Sequence, residues 1–132
     1  NGALSARETF GPADHGRFID GIAFDDYGNL WGTYIMNDGI FAITPDGERK
    51  MIFDDSSDAE VRKVDAAFQT GAPLGMDFLL ECGGTVAPWC ASVTFGGEDL
   101  KTVYVGSLRG TTIPYFTAPV AGLPMVHWAA TF

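Results

Sequence analysis

Residues 18–35 read FIDGIAFDDYGNLWGTYI, and residues 89–108 read WCASVTFGGEDLKTVYVGSL. Laid over each other, GIAF falls on SVTF, DDYGN on GGEDLK and LWGTYI on TVYVGSL. Each copy is an apolar run, a polar glycine-containing turn and a second apolar run, the pattern of an antiparallel hairpin. Any two hairpins share that outline, but here strand and turn lengths also agree to within one residue, which favours a true repeat. The copies differ at one chemically important slot. Asp20 stands just before the first apolar run, where the second copy has Ala91.

The rest of the chain extends this rhythm. FIDGIAF, LWGTYI, GIFAIT and RKMIFDD read as four short strands, joined by the turns DDYGN, MNDG and TPDGE. Four such strands within about 40 residues make a meander, the unit of a β-propeller blade. Residues 55–84 break the pattern. Val61, Val64, Ala67 and Phe68 recur at helical spacing, Ser57 is placed to cap a helix with Glu60 in the capping-box slot, and Gly71 and Pro73 end it. GMDFLLECGG predicts a second short helix. Strands resume at Ala91–Phe95 and Thr102–Leu108, followed by IPYF and LPMVHW. The expected organisation is therefore one four-stranded blade over 18–54, a helical insertion over 55–84, and a following blade with closing strands over 85–132. Without the insertion, of roughly 30 residues, the copies stand about 40 residues apart, one blade length. A propeller closes with roughly four to eight blades. Two and a fraction make only part of a ring, whose exposed faces and edges invite association.

Composition removes several functional classes. The 132 residues suffice for one domain with a core. Seventeen Asp and Glu against eight Lys and Arg give a net charge of -9, without the basic patch that nucleic acid requires. No apolar run reaches the ~18–20 residues of a membrane span. The start carries no signal-peptide pattern, but Asn1 is not an initiator methionine, so localisation stays open with a slight preference for the cytoplasm. Cys82 and Cys90 flank GGTVAPW; a disulfide is geometrically conceivable, two reduced thiols are favoured, and two cysteines do not complete a zinc site. GSLRG is not a nucleophile elbow, DDYGN is not an EF-hand loop, and there is no phosphate-binding glycine loop.

FIDGIAFDDYGNLWGTYIMNDGIFAITPDGE resembles the SMP-30/gluconolactonase/luciferin-regenerating-enzyme family. The shared features are an Asp-Gly pair before the apolar strand, then D-x-x-G-x-L-W, a D-G turn and a strand ending before P-D-G. The stretch from Cys82 to Trp128 is similar to the last part of bacterial and fungal members, and NGALSARETFG to the segment leaving the preceding blade. The resemblance implies all-β propeller blades, about half of a six-bladed propeller, with a short helical insertion. It also implies a divalent metal in the central channel and metal-dependent hydrolysis of a sugar lactone or similar cyclic ester. The family's glutamate and asparagine ligands from earlier blades have no counterparts here, so the chain matches a C-terminal half. The implied partner is a complementary chain supplying the N-terminal blades, or a second copy.

Asp20 is the one position that the resemblance carries over as metal ligand and catalytic carboxylate. The reading from residues alone is that Asp20 caps the turn before its strand by accepting backbone amides. Ca²⁺ suits the implied Asp/Glu/Asn oxygen set best, with Zn²⁺, Mn²⁺ and Mg²⁺ as alternatives. Phe18 and Trp89, in equivalent slots, could wall a substrate pocket or pack between blades. Arg109 could meet substrate oxygens or be an ordinary surface cation. His15 and His127 read as structural, the latter in a strand beside Trp128. Two further readings stand beside the hydrolase: a non-enzymatic partial-propeller scaffold, and an independent β-sandwich that mimics blades.

Overall fold

The computed structural model describes residues 3–15, 17–73 and 75–129. Four strands, β1 (Ile19–Phe24), β2 (Leu30–Tyr34), β3 (Gly39–Ile43) and β4 (Arg49–Asp54), form one antiparallel sheet in chain order. Two helices follow, α1 (Asp58–Thr70) and α2 (Met76–Glu81). Then β5 (Cys90–Gly96), β6 (Thr102–Ser107) and β7 (Tyr115–Thr117) form a second antiparallel meander. The fold is mostly β, in two sheets, as expected. The helical insertion also forms as the sequence predicts. Ser57 caps α1 by accepting the Glu60 N–H, and Gly71 closes it in the left-handed region at φ 64°. One expectation fails. LPMVHW is not a strand: Val126–Ala129 form a single 3₁₀ turn that contains His127. Asn1, Gly2 and the last three residues of the expected second blade lie outside the described residues.

The repeat is visible in the register. Ile19 pairs with Tyr34 and Ile22 with Gly32, with an irregularity between them; Cys90 pairs with Ser107 and Ser92 with Gly106, again with an irregularity between them. Both hairpins therefore break step where Asp20 and Ala91 stand. In both, the last ladder pair, Phe24–Leu30 or Gly96–Thr102, flanks a loop of equal length. The sheets touch at the same place. A Cβ on Gly21 would lie 2.6 Å from the Ala91 carbonyl oxygen, so only glycine permits β1 and β5 to come this close.

Away from this contact the inner faces enclose the core. Trp31, Ile40 and Ala42 of the first sheet pack with Val93, Phe95, Val103 and Val105 of the second. Trp31 is T-stacked on Phe95, with ring centroids 5.2 Å apart. The opposite face of the first sheet has its own small cluster of Tyr34, Phe41 and Ile43. His15, in the N-terminal segment, lies over Phe41 and shares a 2.9 Å hydrogen bond with the Tyr34 hydroxyl, a structural role as foreseen.

The D-x-x-G-x-L-W motif has a physical explanation. Asp25, only 1% exposed, accepts the backbone N–H of Tyr27 and Asn29 on one oxygen, and the Asn29 amide and the Trp31 indole N–H on the other. Gly28 makes the loop's left-handed turn at φ 81°. One carboxylate thus shapes the β1–β2 loop and orients the central core residue. Trp31→Ala is expected to cost about 3–5 kcal/mol in urea denaturation. Asp25→Ala, which strands the buried indole N–H, is expected to cost at least about 2 kcal/mol. An unchanged unfolding midpoint in either variant contradicts this role.

Candidate functional site

β1 and β5 begin side by side at one end of the molecule, and the residues singled out from the sequence gather near their starts. Asp20 lies on β1 at the register irregularity, exposed to solvent. Its carboxylate has no hydrogen-bond or ion-pair partner among the described residues, so the turn-capping role is not what the structure shows. Its field reaches Cys90, the first residue of the neighbouring strand.

Phe18 and Trp89 occupy equivalent slots but have different surroundings. Phe18, half-buried, meets Phe68 of α1 edge to face at 5.1 Å. Trp89 sits in the left-handed region at φ 58° and carries the Arg109 guanidinium over its ring at 5.4 Å. Arg109 also donates to the carbonyl oxygens of Leu80 and Cys82 at 2.8 and 3.1 Å. Arg109 is therefore neither a bare surface cation nor aimed at open space: it ties the end of α2 to the loop before β5. Through Phe18 and Trp89 the helical insertion is anchored to the start of both hairpins. The structure brings Phe18 and Asp20 together on one strand start, and Trp89 and Arg109 together on the neighbouring one.

Two aspartates not singled out from the sequence hold this end in place. Asp38, fully buried in the β2–β3 turn at φ 39°, accepts the N–H of Gly84 and, at 2.9 Å, that of Cys90. Burial holds its carboxyl above the ordinary range and nearby Asp55 adds to this, against the backbone N–H groups that favour the ionised form. Asp55 accepts the N–H of Thr85 and Val86. Together they hang the GGTVAPW loop on the first sheet. MNDG reads only as a turn, because the partners of Asp38 lie some fifty residues further on and nothing local announces them. Asn37, in the same turn, is buried with both amide atoms unpaired among the described residues. Such a group needs a partner from elsewhere.

Cys82 and Cys90 are both buried and are not joined in a disulfide. Burial, with Asp38 and Asp20 nearby, pushes the Cys90 thiol up to about 12. Burial likewise raises Cys82, helped by Glu60. Neither is a nucleophile at neutral pH.

No group of three or more His, Cys, Asp or Glu side chains among the described residues could hold a metal ion. Asp20 is a hard oxygen donor of the kind such an ion takes, exposed and without a hydrogen-bond or ion-pair partner among the described residues. No protein-family model matches this chain, and no curated protein matches it.

Three outcomes follow. In the native protein neither thiol is expected to react with a disulfide reagent at pH 8, whereas both should react in denaturant. Because the folded Cys90 pKa lies above its ordinary 9.0, the folded state holds its proton where the unfolded chain loses it. The contribution of Cys90 to stability should then be constant below about pH 9 and fall as pH rises toward about 12. Cys90→Ala should flatten that alkaline slope, and an unaltered slope contradicts the assignment. Arg109→Ala should speed amide exchange over residues 76–82 while leaving β5 and β6 protected; unchanged exchange there contradicts the tether.

Proposed function

We propose that the two sheets are neighbouring blades of a β-propeller. The chain then acts as the C-terminal half of a gluconolactonase-type, metal-dependent hydrolase of a sugar lactone or similar cyclic ester. The observation that carries this reading is the close meeting of β1 and β5 at Gly21, with Asp20 uncommitted at the start of one strand and Ala91 at the start of the other. Sister strands that meet at their starts, each the first of a meander, are what blades around a channel require. The resemblance of FIDGIAFDDYGNLWGTYI to the family adds the chemistry.

In this reading Asp20 is one ligand of a divalent cation, most simply Ca²⁺, and the glutamate and asparagine ligands come from a complementary chain. When bound, the cation polarises the lactone carbonyl. Asp20, as one of the residues that would hold the ion, would take the proton from water as the water oxygen bonds to the carbonyl carbon. Opening the ring breaks the ester C–O bond and returns a proton to the departing oxygen, leaving a hydroxy acid. Phe18 and Trp89 flank the mouth. Arg109 acts at one remove, by placing Trp89.

A second reading, a non-enzymatic propeller scaffold, draws on a different feature. Ile22, Phe24, Met125, Val126 and Trp128 line an apolar groove of about 270 Å³ along the second half of β1. Such surface suits association without chemistry.

The test is lactone hydrolysis by the assembly of this chain with its complementary half, followed by pH-stat on a set of aldonolactones. Asp20→Ala should lower turnover by about 100-fold or more, the scale on which one charge-stabilising group acts. It should also abolish calcium binding while leaving co-purification intact. Unchanged calcium binding in Asp20→Ala would remove Asp20 from the site and favour the scaffold.

A further inference from the structure

The two meanders differ in one respect that the core makes visible. The first sheet has four strands; the second, among the described residues, has three and ends on β7. Val105 donates its N–H to the Pro114 carbonyl at 2.9 Å, and Ala118 donates to the Lys101 carbonyl at 2.8 Å. Even-numbered residues of this segment therefore face β6, and the alternation of an antiparallel ladder turns the N–H and C=O groups of Tyr115 and Thr117 toward the free edge. Beside that edge lies an apolar cleft of about 300 Å³ between the sheets. One wall is Ile40, Ile52 and Phe53 of the first sheet; the other is Val105, Tyr115 and Phe116 of the second. In the first sheet, β4 pairs with β3 from Arg49 to Asp54, with a register irregularity at Ile52, and packs Phe53 against the core. No described strand stands in the corresponding place beside β7. As a result Ile52 is 41% exposed and Tyr115 71%.

We propose that the free edge of β7 is a docking site for one extended segment of a partner polypeptide, which adds antiparallel as the fourth strand of the second sheet and fills the cleft with an apolar side chain. β4 itself, RKMIFD, shows the chemistry that fits: polar residues outward and a large apolar residue toward the core. A net charge of -9 on this chain favours a neutral or basic segment over an acidic one. A second copy is the poorer occupant, because two chains that each carry a net charge of -9 repel one another. The inference rests on the repeat that the blade reading also uses, but not on the hydrolase chemistry.

The experiment titrates the full chain into a fluorescein-labelled, end-blocked RKMIFD peptide and follows anisotropy. Saturable binding is expected. Thr117→Pro should weaken it at least about tenfold, because it removes one N–H from the free edge while an edge strand tolerates proline. Ile52→Asp, on the opposite wall, should weaken it as well. Asp20→Ala should leave it unchanged, so failure of the metal site and failure of the docking site read separately. Absence of saturable binding, or equal affinity in Thr117→Pro with the fold intact by circular dichroism, overturns the proposal. So does a dimer of this chain that sediments intact and displaces the peptide, since it assigns the edge to a second copy.

Discussion

Asp25 accepts four hydrogen bonds at a place that water does not reach, and the arrangement of both sheets follows from it. A buried carboxylate is costly unless its oxygens are satisfied. Here they are satisfied by the loop that Asp25 itself shapes and by the indole of Trp31. The indole, held from its polar edge, presents its faces to Phe95 and Phe116 of the other sheet. Without that anchor the largest side chain of the core would have no fixed orientation against which the second meander could pack. The loop also receives the C-terminal segment: Asp26 donates to the Ala121 carbonyl, and Leu123 to that of Phe24. One carboxylate thus joins three parts of the chain.

A pair of carboxylates works at the opposite end. Asp38 and Asp55 gather the backbone N–H groups of Gly84, Thr85, Val86 and Cys90, and so bring β5 to β1 with its start correctly placed. Glycine at position 21 completes the approach, because any side chain there would strike the Ala91 carbonyl. The unevenness of the repeat then becomes intelligible. Two hairpins meet at equivalent points, and only one brings a charged group, which stays exposed beside a neighbour that adds none. The helical insertion braces the arrangement through Phe68 on Phe18 and through Arg109 between Trp89 and the end of α2.

Much of the fold was legible because its signals are local. Alternation and turn chemistry placed seven strands, and Ser57, Glu60 and Gly71 bounded α1. LPMVHW misled because an apolar run of that length reads equally as a strand; its proline and its lack of a pairing partner left a single 3₁₀ turn. The candidate site was less legible. Asp20 stood out only by comparing the two copies and through a family resemblance. Asp38 and Asp55 did not stand out at all, since their value lies in contacts with a loop distant in sequence. Arg109 was noticed for its charge, yet what fixes it is a pair of carbonyls at the end of α2 that composition does not reveal.

The central claim is that this chain contributes a single metal-binding carboxylate to a ring completed by another polypeptide. Native mass spectrometry of the assembly purified under gentle conditions, before and after chelator, tests it most directly. The account predicts a complex of this 14.1 kDa chain with a different polypeptide, carrying bound metal that chelator removes. A metal-free species, whether the lone chain or a homodimer, would contradict it.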